Sequence, residues 1–468
     1  MLIDQILIVG YLLVVLIMGL WAGRGIATLN EYSVCRRSYG SLIIFATLSA
    51  SFIGGGFSMG NAAKVYAIGI VSVVGLWGFS LKEFFVAMFI APRVHHLRQC
   101  ISTGDVMAIN YGKSGRIIAG VLGVLVCTGI TGAQVGAMGA VFAQFTGVSL
   151  LTGILIGCGI VIAYTTAGGM RAVVRTDVVQ FVLLGVTIPL TLVLGLRAVG
   201  GVAGLRAGVP AGHLALFHGQ MTPMMVFSLF LSFMLGETLV PPYLQRLLIG
   251  RNSRATAEGT LYSAIFSVPF FAVTGLIGLV ALALAPGLEG NAPMPFLVQH
   301  VLPVGLRGLA IAGIISIVMS SADSFLNAAS VALVNDIVRP LAPRPISERA
   351  GLRYARLTTL AVGLGSVWFA LSIENVLDIL LFSYNFWAPV VLVPLVATML
   401  GVRARQKTFL VGALCGVLAL SAWHWILRDP LGIDGLVIGV LANFIAFGAM
   451  HQIDRSVGQA EKSCMSAG

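Results

Sequence analysis

Residues 316–330 read SIVMSSADSFLNAAS and lie within an otherwise apolar segment from about residue 303 to residue 338. At about 100° per residue in an α-helix, most polar side chains of this stretch fall within roughly a third of the circumference. They form a polar stripe that consists of Ser316, Ser320, Asp323, Ser324 and Asn327. Ser321 lies about 60° outside the stripe, where it could contact an ion from the side. Because polar side chains in hydrocarbon need a partner helix, water or an ion, the stripe predicts interhelical hydrogen bonding or an ion path, and we favour the ion path.

The composition indicates a membrane protein. Hydrophobic residues make up 58% of the 468-residue chain, charged residues make up only 10%, and the mean hydropathy is +0.99. A soluble protein of this size could not keep so much apolar surface away from water. Apolar stretches of about 20 residues can each cross about 30 Å of hydrocarbon. Their number predicts an all-α polytopic protein with about 13 transmembrane helices.

The distribution of charge predicts an orientation. The net charge of +11 does not indicate nucleic-acid binding, because the basic residues, Arg246 among them, are expected in short loops between apolar segments. Placing the N-terminus outside puts most of the 28 lysines and arginines on the cytoplasmic side. We therefore expect a multi-pass protein of a bacterial-type inner (plasma) membrane with a cytoplasmic C-terminus. The apolar run at residues 6–20 follows no basic region, so it reads as a retained helix rather than a cleaved signal.

Two apolar segments carry residues that interrupt a helix. Residues 49–60 read SASFIGGGFSMG, and each of their three consecutive glycines costs about 1 kcal/mol relative to alanine in a helix. The glycines are compatible with close helix packing or with a break. Residues 236–246 read GETLVPPYLQR, and Pro241 and Pro242 cannot continue a regular helix. With the first span numbered zero, these are spans 1 and 6, the pattern of an inverted repeat whose broken helices meet at a central site.

Lys82, Glu83 and Asp177 are further charged residues inside or beside apolar segments. Lys82 and Glu83 are neighbours in span 2 and do not share a helix face, so we expect each to have a different partner helix or cavity. Asp177 enters a helix after a Gly-Gly turn. It is a candidate for ion coupling, and the alternative is a salt bridge to a loop arginine such as Arg171 or Arg175.

Two motifs resemble those of a known family. YTTAGGMRAVVRTDVVQ, at residues 164–180, is similar to the signature between the fourth and fifth core helices of the sodium:solute symporter family. MSSADSFLNAAS, at residues 319–330, resembles the eighth core helix of the same family. ASFIGGG, at residues 50–56, most resembles the choline-carrier and related branches. The resemblance covers roughly residues 5–451, and the family includes carriers of proline, sugars, sialate, pantothenate and choline.

The resemblance implies the inverted-repeat fold of the leucine transporter. In that fold, spans 1 to 5 and spans 6 to 10 form two repeats, and spans 1 and 6 are broken. The implied organisation is a peripheral N-terminal helix and cytoplasmic loop at 1–39, the first repeat at 40–200, the second repeat at 201–401, two additional C-terminal helices at 402–451 and a cytoplasmic tail at 452–468.

The family also implies a sodium site between its first and eighth core helices. Matched by motif, the ligands would be the backbone carbonyls of Ala50, Ile53 and Ile317 and the hydroxyls of Ser320 and Ser321. Neutral oxygens suit a monovalent cation that has to be released inside the cell. Some members have a second ion site, which here would use Asp177 and Ser324, with Asp323 standing where another hydroxyl is expected.

The solute would lie beside the two breaks. The implied residues are Gly54, Gly55, Gly56, Phe57, Ser58, Gln134, Phe230, Phe233, Glu237, Thr238, Tyr384, Asn385 and Phe386. The start of a half-helix favours a carboxylate, whereas a carboxylate side chain and aromatic rings can hold an amine or a quaternary ammonium. We therefore expect a small organic acid, amino acid, zwitterion or quaternary amine.

These observations predict a sodium-coupled secondary symporter that imports a small organic solute by alternating access. The alternatives are a solute-sensing membrane module of the same fold and a proton-coupled symporter. We expect no enzyme, because the sequence shows no set of nucleophile, base and orienting residue and no metal-ligand cluster. The expected partners are the solute, sodium as coupling ion and the lipid bilayer, with no cofactor, no other metal, no nucleic acid and no obligatory protein partner.

Overall fold

The computed structural model describes residues 2–217, 219, 221–372, 384–385 and 387–466. Within these ranges the chain is helical, and no β-strand is present apart from an isolated bridge between Tyr39 and Gly250. The α-helices are α1 (Leu2–Ala22), α2 (Leu29–Val34), α3 (Ser41–Phe52), α4 (Asn61–Ile68), α5 (Val71–Phe85), α6 (Thr103–Thr146), α7 (Leu150–Ala198), α8 (Gly201–Gly208), α9 (Pro223–Gly236), α10 (Pro241–Leu248), α11 (Ser253–Leu284), α12 (Pro293–Val301), α13 (Leu306–Ala332), α14 (Arg339–Leu341), α15 (Glu348–Ser372), α16 (Val393–Met399), α17 (Gln406–Ser421) and α18 (Gly435–Ser466). Short π-helical segments adjoin several of them at Gly56–Gly60, Val86–Ile90, Leu333–Val338, Ala388–Leu392 and Ala422–Ile426.

Both predicted interruptions are confirmed. The axis of α3 and that of the half-helix Gly56–Ile68, which contains α4, differ by 65°, and the axes of α9 and α10 differ by 53°. Pro241 and Pro242 occupy the first turn of α10, where the missing N–H groups have no helical acceptor to lose. Leu239, between α9 and α10, has a φ of 55°. This left-handed conformation costs about 1–2 kcal/mol for a residue with a Cβ atom.

The central helix of the molecule is α13. Of the 18 most apolar consecutive residues in the segment Leu306–Leu341, which contains α13, 94% are buried. α13 packs against α1, α3, α6, α7, α10 and α15. Because other helices surround it, its polar stripe faces protein rather than lipid.

The first helix is peripheral and is fixed at its N-terminal end. Most of α1 exposes apolar side chains, as expected of a lipid-facing helix, including Leu13, Ile17 and Trp21. Asp4 accepts hydrogen bonds from the backbone N–H groups of Gly305 and Gly308, at 2.7 and 3.0 Å. It also accepts one from Arg307 Nη2 at 2.6 Å. One carboxylate thus joins α1 to the beginning of α13.

The 49-residue α7 contains a break at the predicted Gly-Gly turn. Gly169 has φ 47° and ψ −142°, and a Cβ atom there would lie 2.6 Å from Tyr32. A continuous helix of this length would be about 74 Å long, more than twice the hydrocarbon thickness of about 30 Å. In the described ranges, eight helices are long and apolar enough to cross a membrane, or up to ten if each bent pair is one span. The total of about 13 stays a prediction.

The crossing of α5 and α9 generates a prediction. A Cβ atom on Gly78 would lie 2.0 Å from the backbone oxygen of Phe230, so we expect Gly78→Ala to force the helices apart and lower the free energy of unfolding by about 1–3 kcal/mol. The measurement is thermal unfolding of the detergent-purified protein. Gly159→Ala is the matched control, because nothing lies within 4 Å of its Cβ position. Equal melting temperatures for the two variants would contradict this packing.

Candidate functional site

The polar face of α13 meets the break that follows α3. The hydroxyl of Ser320 donates a hydrogen bond to the carbonyl oxygen of Ala50 at 2.5 Å, and the hydroxyl of Ser321 donates to that of Ser51 at 2.6 Å. All four residues are buried. The last four carbonyl groups of a helix have no partner within it, and here two of those of α3 are satisfied by hydroxyls of α13.

The two segments are closely packed at Gly54. A Cβ atom there would lie 2.6 Å from Ser321 Oγ and 3.0 Å from Gln134 Nε2. The side-chain oxygen of Gln134, on α6, accepts a hydrogen bond from the backbone N–H of Gly55 at 2.9 Å. Both interpretations that the sequence left open for the glycine run therefore apply, since the run breaks the helix and also permits close packing against α6 and α13.

Of the five predicted sodium ligands, Ser320 and Ala50 are in direct contact, whereas Ser321 contacts the carbonyl group of the neighbouring residue Ser51. Ile53 and Ile317 are fully buried, the first just beyond the end of α3 and the second within α13. Backbone carbonyls at a break in a membrane helix can coordinate Na⁺. A cation could use the same hydroxyl oxygens if their protons turned away from the carbonyl groups.

A second polar cluster lies further along α13, around the guanidinium of Arg246. This side chain of α10 is fully buried. It donates hydrogen bonds to the carbonyl oxygens of Thr47 and Pro242, at 3.2 and 3.0 Å, to Asp177 Oδ2 at 3.2 Å, and to the hydroxyl of Ser324. The Thr47 hydroxyl also donates to Asp177 Oδ2. One guanidinium therefore connects α3, α7, α10 and α13.

Asp323 lies in the same cluster without an arginine or lysine in contact, as far as the described residues show. Its Oδ2 accepts hydrogen bonds from Tyr164 at 2.5 Å and from Thr176 at 3.4 Å, and its Oδ1 accepts one from Ser324 at 3.1 Å. Within the same ranges, Oδ1 of Asp177 has no hydrogen-bond partner. The cluster thus contains two buried carboxyl groups and one guanidinium, which pairs with Asp177, and the three residues predicted for a second ion lie together.

The alternative partners proposed for Asp177 were wrong. Arg171 donates to a backbone carbonyl after α1 at 3.3 Å, and the guanidinium of Arg175 lies 4.9 Å from the ring centroid of Trp21. Arg246, which the charge pattern had placed in a cytoplasmic loop, is the partner instead. It is separated from Asp177 by 69 positions and by the second break, so sequence spacing gave no sign of the pair.

A small cavity of about 10 Å³, room for about one water molecule, lies beside both breaks. It is lined by Ser51, Phe52, Gly54, Gly56, Phe57, Ile130, Gln134, Glu237, Tyr243, Ser321, Phe325 and Tyr384. Among the described residues that line it, the one carboxylate is that of Glu237, and none is a lysine, arginine or histidine. Ser321 contributes to this cavity and also contacts the end of α3.

Glu237 follows α9 directly, at the second break, and is buried. Its Oε2 accepts a hydrogen bond from the Tyr243 hydroxyl at 2.8 Å, and its Oε1 accepts one from the Tyr384 hydroxyl. Tyr243 belongs to α10, whereas Tyr384 is 147 positions away in the chain. Both carboxylate oxygens are therefore occupied by neutral donors from different segments.

Lys82 and Glu83 contact each other, which corrects the expectation that each would have a different partner. Lys82 Nζ lies 2.6 Å from Glu83 Oε1, and both side chains are buried. The ammonium also lies 3.7 and 4.9 Å from the ring centroids of Phe79 and Tyr243, and 3.5 Å from the carbonyl oxygen of Glu237. The expectation failed because the flexible four-carbon side chain of lysine can curl around the helix.

The predicted solute residues fall into two groups. Those that line the cavity are Gly54, Gly56, Phe57, Gln134, Glu237 and Tyr384. The others adjoin lining residues in the chain or belong to the segments next to the breaks: Gly55, Ser58, Phe230, Phe233, Thr238 and Asn385, which directly follows Tyr384. The Phe233 ring, for example, lies 5.7 Å from the Phe57 ring. Phe386 lies outside the described residues.

The sequence reasoning missed five lining residues, Ser51, Phe52, Ile130, Tyr243 and Phe325. Tyr243 could have been found, because it directly follows the two prolines that begin α10. Ile130 and Phe325 are apolar residues in long helices, and nothing in their spacing distinguishes them from ordinary core positions.

The buried ion pair generates a prediction. We expect Asp177→Asn to lower the free energy of unfolding by about 3–5 kcal/mol, because it leaves the guanidinium of Arg246 without its carboxylate. Thermal unfolding is the measurement, and Glu258→Gln is the matched control, since it disrupts an ion pair to Arg254 on the surface. The control should have the same melting temperature as the wild type. If Asp177→Asn also had that melting temperature, the ion pair would not have the structural role described.

The chain resembles curated transporters over most of its length. It is 24% identical to the high-affinity choline transporter 1 of Caenorhabditis elegans, over 92% of this chain and 78% of the relative. It is 25% identical to the sodium/pantothenate symporter of Escherichia coli, over 97% of each chain. These relatives are transporters and not enzymes.

A solved structure of a Na⁺-coupled sialic acid symporter, in a substrate-bound outward-open state, superimposes with a TM-score of 0.85. The two sequences are 20% identical, and the match covers 96% of this chain and 98% of the other. This likeness confirms the helical, leucine-transporter-like fold expected from the sequence, whereas the number of transmembrane helices stays a prediction. The sequence profile of the sodium:solute symporter family matches residues 32–418. The chain therefore belongs to the sodium:solute symporter family, a family of multi-pass membrane transporters.

Proposed function

We propose that this protein is a sodium-coupled secondary symporter that imports a small organic solute by alternating access. The observation that carries the proposal is the contact of two α13 hydroxyls, those of Ser320 and Ser321, with carbonyl groups at the end of α3. A sodium ion among these oxygens would hold the broken helix against α13. Release of the ion would remove that attraction, so occupancy of the site would control how closely the two helices pack.

One residue connects the ion site with the solute cavity. Ser321 lines the cavity, and its hydroxyl contacts the carbonyl group of Ser51, which lines the cavity as well. A solute that repositions these residues changes the oxygens available to sodium and therefore the affinity for sodium. By thermodynamic reciprocity, sodium then changes the affinity for the solute by the same factor. Each sodium ion that enters down about 100 mV supplies about 2.3 kcal/mol, enough for about 50-fold accumulation before any concentration gradient is added.

The second polar cluster supports a second coupling cation. Asp177 and Asp323 are buried carboxyl groups, and the cluster contains one positive charge, that of Arg246, which pairs with Asp177. Taking an unbalanced charge out of water is costly, so a further cation would stabilise the cluster. We propose that this cation binds at Asp177, Asp323 and Ser324. A proton is the alternative to sodium at this position.

The organisation that we propose follows the implied repeats. Residues 40–200 and 201–401 would be related by an inverted repeat, and the bends of 65° and 53° near the start of each support this division. The remaining segments would be peripheral: 1–39 and 402–451 would add helices, and 452–468 would be a cytoplasmic tail. Spans 1 and 6 would then contribute their broken centres to the same site.

The cavity supports a solute with a positively charged group. The carboxylate of Glu237 and the aromatic rings around it favour a cation. The half-helix that begins at Gly56 points the positive end of its dipole toward the break, which favours a carboxylate. A small zwitterion or amine satisfies these features better than a simple organic acid does.

The test of the proposed ion site is thermal stabilisation of the purified protein in NaCl, compared with KCl at the same ionic strength. We expect sodium to raise the melting temperature of the wild type. Ser320→Ala/Ser321→Ala should bind sodium about tenfold more weakly or worse, because it removes both hydroxyl ligands.

The matched control for this experiment is Ser330→Ala. Ser330 is also buried in α13, but its hydroxyl donates to a carbonyl of its own helix, that of Asn327, at 2.8 Å. It should respond to sodium as the wild type does. A double variant that keeps the full sodium response, or a wild type that responds equally to potassium, would overturn the proposed site.

The proposed orientation has its own test. With the N-terminus outside and the C-terminus in the cytoplasm, a green fluorescent protein fused to the C-terminus should fluoresce in bacterial cells. Alkaline phosphatase fused to the C-terminus should show no phosphatase activity, because that enzyme needs the oxidising periplasm. The opposite pair of results would place the C-terminus outside.

A further inference from the structure

The buried charges around the solute cavity do not balance. Lys82 and Glu83 form an ion pair at 2.6 Å and compensate each other. Glu237, whose carbonyl oxygen lies 3.5 Å from the same ammonium, adds a second carboxyl group. Within the described residues no further cation forms a salt bridge with it. The cluster therefore has two acids and one base at a position enclosed by protein.

The carboxylate of Glu237 is instead stabilised by two tyrosine hydroxyls, those of Tyr243 and Tyr384. A neutral donor gives a weaker hydrogen bond to a carboxylate than a charged donor does. Tyr243 is held in place by α10 and by the ammonium of Lys82 over its ring. Tyr384 comes from a segment 147 positions away in the chain and does not contact that ammonium among the described residues, which makes its hydroxyl the candidate for replacement.

We propose, on the basis of the symport function above, that the transported solute carries a protonated amine and that its ammonium replaces the Tyr384 hydroxyl on Glu237 Oε1. The exchange substitutes a charge-assisted hydrogen bond for a neutral one. It also supplies the positive charge that the cluster needs. The ammonium would then lie beside the rings of Tyr243 and Phe57, which face the same cavity.

The geometry separates this class of solute from two others. A carboxylate without an amine would approach Glu237 with no basic residue among the described lining residues to offset the repulsion. A quaternary ammonium has no N–H group, so Glu237 Oε1 would lose the Tyr384 bond without a replacement. Tyr384 therefore also acts as a selectivity residue, because only a hydrogen-bond donor can take its position without cost.

The experiment measures melting temperatures of the purified protein in NaCl and in KCl with three matched sets of compounds. Glycine, L-alanine and L-proline carry an amine and a carboxylate. Acetate, propionate and cyclopentanecarboxylate keep the carboxylate alone, and glycine betaine carries a quaternary nitrogen. We expect one or more of the three amino acids to stabilise the wild type only in sodium. The three compounds that carry a carboxylate alone, and glycine betaine, should have no effect. If no amine stabilises in sodium, or if a carboxylate does so instead, the proposal is overturned.

Three variants locate the binding contact. Glu237→Gln keeps the shape of the side chain and should weaken amine binding by about tenfold or more, because it removes the charge. Tyr384→Phe removes the competing hydroxyl and should tighten amine binding by about three- to tenfold. Tyr243→Phe is the matched control, since its hydroxyl stays on Glu237 in the bound state, and its loss should not tighten binding.

These outcomes are independent of the ion site. Sodium alone should stabilise all three variants, because none of them removes an oxygen at the end of α3 or on Ser320 and Ser321. Loss of the sodium response in the wild type would refute the symport proposal itself. A normal sodium response, combined with unchanged amine binding in Glu237→Gln or weaker amine binding in Tyr384→Phe, would refute only the role assigned to Glu237 and Tyr384.

Discussion

The structure depends on the requirement that polar groups inside a membrane protein find partners within the protein. Lipid offers no hydrogen bonds, so a helix that ends in the membrane interior must have its last carbonyl groups satisfied by another segment. Here the broken end of α3 supplies acceptors, and α13 supplies hydroxyl donors to Ala50 and Ser51. Neither feature would be stable alone, and their combination places a set of oxygens at the centre of the bundle.

Local features of the sequence were sufficient to predict much of this arrangement. The glycine run and the proline pair mark the two breaks, because glycine and proline act on the backbone of their own segment. The polar stripe of α13 follows from helical periodicity alone, and its burial follows from the cost of exposing it to lipid. The turn at Gly169 was visible for the same local reason. The resemblance to a family added the pairing between the broken helix and α13.

The partners of the buried charges could not be predicted from the sequence. Arg246 looked like one more basic residue near the end of an apolar segment, and only the bend before α10 directs it toward Asp177. Neighbouring positions such as those of Lys82 and Glu83 do not share a helix face, yet the long side chain of lysine brings the two charges together. Tyr384 and Glu237 are joined across 147 positions. Such contacts depend on how whole helices pack, which neither periodicity nor composition describes.

The backbone at Leu239 has a consequence for the balance between conformations. A residue with a Cβ atom holds a φ of 55° there, in the middle of the second break and directly after the segment that carries Glu237. Any rearrangement that returned Leu239 to negative φ would gain about 1–2 kcal/mol. That gain corresponds to about a five- to thirtyfold change in relative population. The packing around the break thus maintains a strained backbone at Leu239. A conformation in which Leu239 has a negative φ is favoured by the release of that strain.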